Sequence, residues 1–221
     1  MKKWMKKALS LAMVGALSVS MLTGCGGGSD SGSEGSTKTE GEAAKGGEIT
    51  IGVTSFADTL EPTEQYFSWV VSRYAIGETL VRFDENGELA PCLAESWENS
   101  EDKSSWTFKI REGVKFSNGN DMTPEAVKSS LERTIELSNR TDEFFKVKSI
   151  EVDGQNLTIT TETPNALVPG SLADPLWLIV DTSVDTTKFA ENGPICTGPY
   201  AVEEFKATKY CTVVRNEYYW D

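Results

Sequence analysis

Short stretches in which hydrophobic and polar residues alternate predict β-strands along most of the chain. In residues 106–110, Trp106, Phe108 and Ile110 alternate with polar residues, so one face of this strand is expected in the core. Trp97 precedes it across a polar reversal at residues 99–104, and the two segments predict a hairpin. Further strands are predicted at residues 48–53, 147–152, 157–161, 200–205 and 210–215, with a small hairpin at residues 80–89.

The strongest helix signal follows the turn dipeptide Asn118-Gly119. Both residues tolerate positive φ, so the chain is expected to reverse there. Thr123 then stands at the N-cap position, with Pro124 at the first helical position and Glu125 in the first turn, where a negative charge suits the helix dipole. An apolar stripe at four-residue spacing predicts the buried face of the helix and consists of Val127, Leu131 and Ile135.

Two weaker helical patterns and one apolar run complete the predicted elements. Residues 65–80 show a mixed helical pattern, and residues 167–173 predict a short helix. Residues 176–180 are continuously apolar, which is typical of a buried strand. With 221 residues, of which 38% are hydrophobic, the chain can build a sizeable core in one large or two small domains.

The N-terminal region predicts export and lipid attachment. Lysines in residues 2–7 precede an apolar run at residues 8–21 that is short for a bilayer span and typical of a secretory signal. Leu22-Thr23-Gly24-Cys25 matches a lipobox, so we expect a signal peptide at residues 1–24 and a diacylglycerol on Cys25; the alternative is an ordinary signal with a chance cysteine. The composition of residues 25–47 predicts a flexible tether, which leaves residues 48–221 as a folded body anchored to the outer face of the cell membrane.

Charge and missing residue types argue against several function classes. The formal net charge is −13, and because four of the 21 basic residues and none of the 34 acidic residues lie in the first 24, the remainder carries −17. That sign is wrong for a nucleic-acid partner. The sequence has no histidine, nucleophile elbow or phosphate-binding loop, and the cysteines after Cys25 are too widely spaced for a metal site. We therefore expect no enzyme, no cofactor and no bound metal.

The three remaining cysteines are expected to be free thiols. If Phe205 opposes Tyr210 in the last hairpin, Cys211 pairs with Glu204 and Cys196 lies eight positions further along. Eight strand residues span about 26 Å, whereas a disulfide needs Cα atoms within about 7 Å. A Cys196–Cys211 bridge is therefore not expected, and burial as free thiols is the favoured state of all three, Cys92 included.

Three sequence blocks, in this order, resemble the bacterial extracellular solute-binding proteins of family 5. The first runs from L-A-E-S-W at residues 93–97 through W-T-F-K-I-R-E-G-V-K-F-S-N-G at 106–119 to T-P-E-A-V-K at 123–128. The second is T-G-P-Y at residues 197–200, and the third is Arg215-Asn216 followed by Tyr218-Tyr219-Trp220. No single block would be specific, but their order over this distance is.

The resemblance implies an α/β fold, namely a periplasmic-binding-protein-like type II lobe with a mixed β-sheet and packed helices. Family members are peptide- and nickel-binding receptors of ABC importers, which close two lobes on a solute and deliver it to a permease. Oligopeptides are favoured here over a nickel chelate, because nickel-binding members carry an arginine in the stretch corresponding to residues 172–179 and this chain has none. Another small solute, a partner-binding surface lipoprotein without transport activity, and a secreted enzyme are the alternatives.

Full-length members of the family continue well beyond the third block. The resemblance therefore implies that the chain covers the first part of lobe I and lacks the second lobe. We expect a truncated product; the alternative is that another chain supplies the missing half.

Aromatic and polar residues beside predicted strand and helix ends are candidates for the solute site, because open α/β sheets bind ligands there. Phe56 is the preferred candidate, since the resemblance places the loop after the first strand at the cleft. For each aromatic candidate, packing in the core is the alternative. The predicted ligand-binding residues are Thr54, Ser55, Phe56, Tyr66, Trp69 and Phe144.

Overall fold

The structure is a computed structural model that describes residues 47–221. The predicted signal peptide, the lipidated Cys25 and the tether up to residue 46 lie outside the described residues. Residues 47–50 are exposed and form no helix or strand, and Ile51–Asp221 form one compact body. In the described part, every helix is too short or too polar to cross a membrane.

A four-stranded antiparallel sheet forms the centre of the body, and the alternation of Trp106, Phe108 and Ile110 is confirmed because all three are buried. In the order in which they pair, its strands are β3 (Ala94–Asn99), β4 (Ser105–Ile110), β6 (Asn156–Thr161) and β5 (Val147–Asp153). Each strand pair in residues 47–221 is antiparallel, whereas the resemblance implied a mixed sheet.

The longest helix of the described residues packs against β5 and β6. We label the helices α1 (Phe67–Arg73), α2 (Pro124–Leu137), α3 (Val168–Ser171) and α4 (Phe189–Asn192). Helix α2 begins as predicted, with the Thr123 hydroxyl accepting a hydrogen bond from the Ala126 amide at 3.2 Å. Val127 and Leu131 are buried, and Ile135 is half-buried against the same core. The backbone amide of Val180 donates a hydrogen bond to Ser130 Oγ at 2.9 Å and so joins the apolar segment at residues 176–180 to α2.

The small hairpin predicted at residues 80–89 forms from β1 (Val81–Phe83) and β2 (Leu89–Pro91). The last predicted hairpin forms from β7 (Tyr200–Lys206) and β8 (Tyr210–Arg215). In the second hairpin the predicted register is wrong by one residue, since Phe205 opposes Cys211 and Lys206 opposes Tyr210. Thr208 adopts a φ of 62°, which closes a tighter turn than expected. The predicted free thiols are confirmed at Cys92, Cys196 and Cys211, although Cys211 is only half-buried.

Two predicted strands do not form. Residues 48–53 show the right alternation, but Ile49, Ile51 and Val53 are exposed. The described residues place no strand beside this segment, and a strand needs a neighbour to pair its backbone N–H and C=O groups. Residues 176–180 are buried as expected, yet Pro175–Trp177 form a 3₁₀ turn and only Val180 makes an isolated bridge to Cys196. Asp174 caps the start of that turn, because its carboxylate accepts a hydrogen bond from the Leu176 amide at 2.8 Å.

The predicted helix over residues 65–80 is shorter than expected. Only α1 is helical, because Ala75 adopts a φ of 54° and the chain then runs extended into β1. The short helix predicted at residues 167–173 is confirmed as α3. A second apolar cluster surrounds the inner face of α1 and includes Leu60, Val71, Leu178, Val180, Phe189 and Phe205.

Candidate functional site

An open groove of about 470 Å³ lies where α1, the segment after α2 and the start of the Pro175–Trp177 turn meet. Three of the six predicted ligand-binding residues line it, and they are the aromatic ones on helical segments. The groove is lined by Tyr66, Trp69, Val70, Arg73, Arg140, Glu143, Phe144 and Asp174.

Arg140 is held at the groove by contacts on several sides. Its Nη1 donates to the Gln65 carbonyl at 3.1 Å, and its guanidinium carbon lies 3.9 Å from the centre of the Tyr66 ring. Its Nη2 lies 3.4 Å from a carboxylate oxygen of Glu143, whose side chain is half exposed. Gln65 has a φ of 46°, a left-handed backbone conformation. The guanidinium is thus ordered by a carbonyl, an aromatic face and one carboxylate, and because only 6% of Arg140 is exposed, it forms the floor of the groove.

The aromatic side of the groove combines exposed and supported rings. Tyr66 is 60% exposed and Trp69 is 41% exposed, so both rings are accessible from the groove. Phe144 contacts the buried Trp177 ring edge to face, at a centroid distance of 6.1 Å. Phe145 stacks on the Trp177 ring at a centroid distance of 5.2 Å. Exposed rings at a concave surface offer apolar contact to a small molecule.

The groove also carries a second pair of opposite charges. Arg73 lies in the last turn of α1 and is exposed, and Asp174 caps the Pro175–Trp177 turn through Oδ1. Neither side chain forms an ion pair with another described residue. Sequence reasoning missed all four charged groove residues, since single charges in an acidic chain give no signal of their own.

The other three candidates lie elsewhere. Thr54 and Ser55 are exposed, and Phe56 is half-buried, with its ring stacked near Tyr74 at 6.2 Å and near Phe205 at 6.3 Å. None of the three lines the groove. Phe56 therefore packs as a core residue in this structure, and a solute contact by these residues stays a prediction.

A second open groove of the same volume lies at the start of α2. It exposes the carboxylates of Glu112, Asp121 and Glu125 and no aromatic side chain. No group of three or more His, Cys, Asp or Glu side chains in residues 47–221 is arranged to hold a metal ion. The aromatic groove is therefore the better candidate for a solute site.

A buried ion pair fixes the segment that leads into the groove. Arg133 on α2 donates to both carboxylate oxygens of Glu61, at 3.0 and 2.8 Å. The Thr63 amide and hydroxyl also donate to Glu61, at 3.0 and 2.7 Å. Burial opposes ionisation of Glu61, but the hydrogen bonds from Arg133 and Thr63 outweigh it and hold the pKa of the carboxyl below its usual value.

The residues of the second and third blocks meet at Glu78 rather than at the groove. The Thr197 hydroxyl and the Trp220 indole N–H both donate to Glu78 Oε2, at 2.8 and 2.9 Å, and Arg111 lies 4.4 Å from the centre of the Trp220 ring. Burial raises the pKa of the Glu78 carboxyl, although these two donors act in the opposite direction. The conspicuous blocks of the sequence thus stabilise the fold around the site.

Comparison with known proteins identifies relatives of one kind. The family model described as "Bacterial extracellular solute-binding proteins, family 5 Middle" matches residues 88–221. The nickel-binding periplasmic protein of Escherichia coli (strain K12) is 29% identical over 186 residues, which are 80% of this chain and 36% of that protein. The glutathione-binding protein GsiB of Pectobacterium atrosepticum is 30% identical over 185 residues, again 80% of this chain and 36% of the relative.

A solved structure agrees with these matches. The nickel ABC transporter protein of Bacillus halodurans superposes with a TM-score of 0.70 and 40% sequence identity, over 75% of this chain and 34% of that one. The chain therefore spans about a third of the length of the relatives it matches.

Proposed function

The chain belongs to the bacterial extracellular solute-binding proteins of family 5, and we propose that it serves an ABC importer by capturing oligopeptides outside the membrane and delivering them to the permease. The observation that carries this proposal is the open groove, in which the charged side chains of Arg73 and Asp174 stand beside the exposed rings of Tyr66 and Trp69. Binding and release are the whole of the proposed activity, which requires no catalytic step.

A peptide suits the chemistry of the groove. Its terminal carboxylate can pair with the exposed guanidinium of Arg73, which forms no ion pair within residues 47–221. Its side chains can lie on Trp69 and Phe144, whose rings tolerate different apolar groups. Charge-assisted anchoring with unspecific aromatic contact gives affinity without requiring one peptide sequence.

A nickel chelate is the second candidate, because Arg73 and the aromatic rings offer an anionic chelate the same type of contact. Two of the relatives are named for nickel. Against this candidate, residues 172–179 carry Asp174 and no basic residue, so their only charge is negative. A peptide with a free ammonium group is compatible with that charge.

The proposed location is the outer face of the cell membrane, with the tether at residues 25–47 ending in a lipid on Cys25. The family is extracellular by its description, and the lipobox at residues 22–25 supports the anchor. Metabolic labelling with a fatty acid should mark the chain, and Cys25→Ser should remove the label and release the protein from membranes. A labelled Cys25→Ser variant would exclude this anchor.

Thermal unfolding of the full chain, purified in mild detergent, tests the solute proposal. Tri-alanine and a mixed di- to hexapeptide pool should raise Tm, because a ligand at 100 times its Kd stabilises the native state by about 2.7 kcal/mol. A Tm that responds to a nickel–histidine complex and not to peptides would establish the chelate candidate instead. A cooperative transition that neither probe shifts would contradict both and favour a lipoprotein that binds another kind of partner.

A further inference from the structure

The four charged residues of the groove divide into one internal pair and two available charges. Arg140 and Glu143 lie 3.4 Å apart and partly neutralise each other. Arg73 and Asp174 form no ion pair with any other residue in the part of the chain that the structure describes. One cation and one anion therefore remain for a solute in the same groove.

Asp174 is placed so that its second carboxylate oxygen stays available. Oδ1 accepts the Leu176 amide at 2.8 Å and so starts the Pro175–Trp177 turn, whereas within residues 47–221 Oδ2 accepts no hydrogen bond. The side chain is half-buried, and the turn fixes its backbone. A carboxylate whose orientation is fixed by one oxygen can receive a donor on the other without rearranging.

We propose that Asp174 determines the charge class of the solute by receiving its ammonium group, while the basic residues of the groove meet its carboxylate. This inference rests on the proposed function and narrows it to zwitterions with a free amino group. A solute with only negative charge meets the unpaired Asp174 carboxylate and is disfavoured, and discrimination by repulsion of this kind contributes to specificity as much as attraction does.

Blocked peptides test the proposal directly. Tri-alanine, its N-acetylated form and its C-terminal amide should be titrated into the full chain by calorimetry at low salt, where exposed charges are least screened. Loss of the ammonium group should weaken binding about tenfold, the size expected for one charge-assisted hydrogen bond in an open site. The C-terminal amide should also bind more weakly, because the basic residues lose their anion.

Asp174→Asn isolates the charge of the side chain. Asparagine caps helical turns about as well as aspartate, so the Pro175–Trp177 turn should persist. In this variant tri-alanine and its acetylated form should bind equally. Asp185→Asn is the matched control, because Asp185 caps the Thr186–Lys188 turn in the same way, through the Thr187 amide at 3.1 Å, and lies outside the groove. The control should keep the preference for the free amino group.

Two results would overturn the inference and leave the proposed function intact. One is equal binding of tri-alanine and its acetylated form by the unaltered chain. The other is an undiminished preference in Asp174→Asn. Failure of every peptide to bind would instead overturn the proposed function, and the inference with it.

Discussion

Replacing Arg133 by methionine should show how strongly the fold depends on the buried Glu61–Arg133 ion pair. The Arg133 and Glu61 side chains are 12% and 9% exposed, and two hydrogen bonds of 3.0 and 2.8 Å join them. Methionine keeps much of the apolar stem but removes the guanidinium, whose carbon lies 5.1 Å from the centre of the Phe189 ring. The Glu61 carboxylate would then be buried with Thr63 as its only hydrogen-bonding partner among the described residues.

The expected loss follows from leaving one charge buried without its partner, which destabilises proteins by about 3–5 kcal/mol. This variant loses the hydrogen bonds and the positive charge of Arg133, which help to hold the pKa of Glu61 down, so that pKa should rise. Removing both charges in Glu61→Gln/Arg133→Met should recover a large part of the loss, because replacing a whole buried pair by neutral groups is often close to neutral.

Urea unfolding followed by circular dichroism gives the free energies of unfolding of four proteins. These are the unaltered chain, Arg133→Met, Glu61→Gln and the double variant. Lys109→Met is a suitable control, since it removes an ion pair with Glu95 whose side chains are 54% and 36% exposed, and should leave the midpoint unchanged. A loss below about 1 kcal/mol for Arg133→Met, or additive effects in the double variant, would refute the reasoning.

Three other perturbations give separate expected outcomes. Gly198→Ala should destabilise the chain by about 1–3 kcal/mol in urea, because its Cβ would lie 2.5 Å from the Ala75 carbonyl oxygen and 2.6 Å from that of Ile76; an unchanged midpoint would contradict this close approach. Thr123→Ala should cost about 1 kcal/mol through loss of the α2 cap and Thr123→Ser much less, so equal losses would argue against capping. Because the folded-state pKa of Glu61 is lowered, its stabilisation is present above the unfolded value of about 4.3 and should be lost as pH falls through the folded pKa; Glu61→Gln should flatten that acid limb, and an unchanged limb would exclude Glu61 as its source.

The elements that the sequence predicts well are those decided by neighbouring residues. Thr123 and Pro124 cap α2 because a side-chain acceptor and a fixed φ act within one turn. Alternation in β4 and the turn dipeptides likewise act locally. Residues 48–53 have the same alternation as β4, but a strand also needs a partner, and pairing is not encoded in the segment itself.

Only part of the groove could be predicted from the sequence, because its lining residues are far apart in the chain. The rule that ligands contact aromatic residues beside strand and helix ends selected Tyr66, Trp69 and Phe144, but it selected Phe56 as well, which packs near Tyr74 and Phe205 outside the groove. Arg140 and Asp174 gave no such signal, because an isolated charge is normally solvated at the surface. Only the fold brings α1, the segment after α2 and the Pro175–Trp177 turn together and turns these charges into the lining of one groove.

Calorimetric titration of a mixed di- to hexapeptide pool, and then of tri-alanine, into the full chain tests the central claim most directly when Trp69→Ala is measured beside it. Trp69 is partly exposed in the groove, and truncating an aromatic ring at the centre of a contact should weaken binding more than about tenfold. Phe83→Ala, at an exposed ring on β1 outside the groove, should bind like the unaltered chain. Peptide binding that Trp69→Ala leaves intact, or no heat of binding with any peptide, would contradict the assignment of this groove as the solute site.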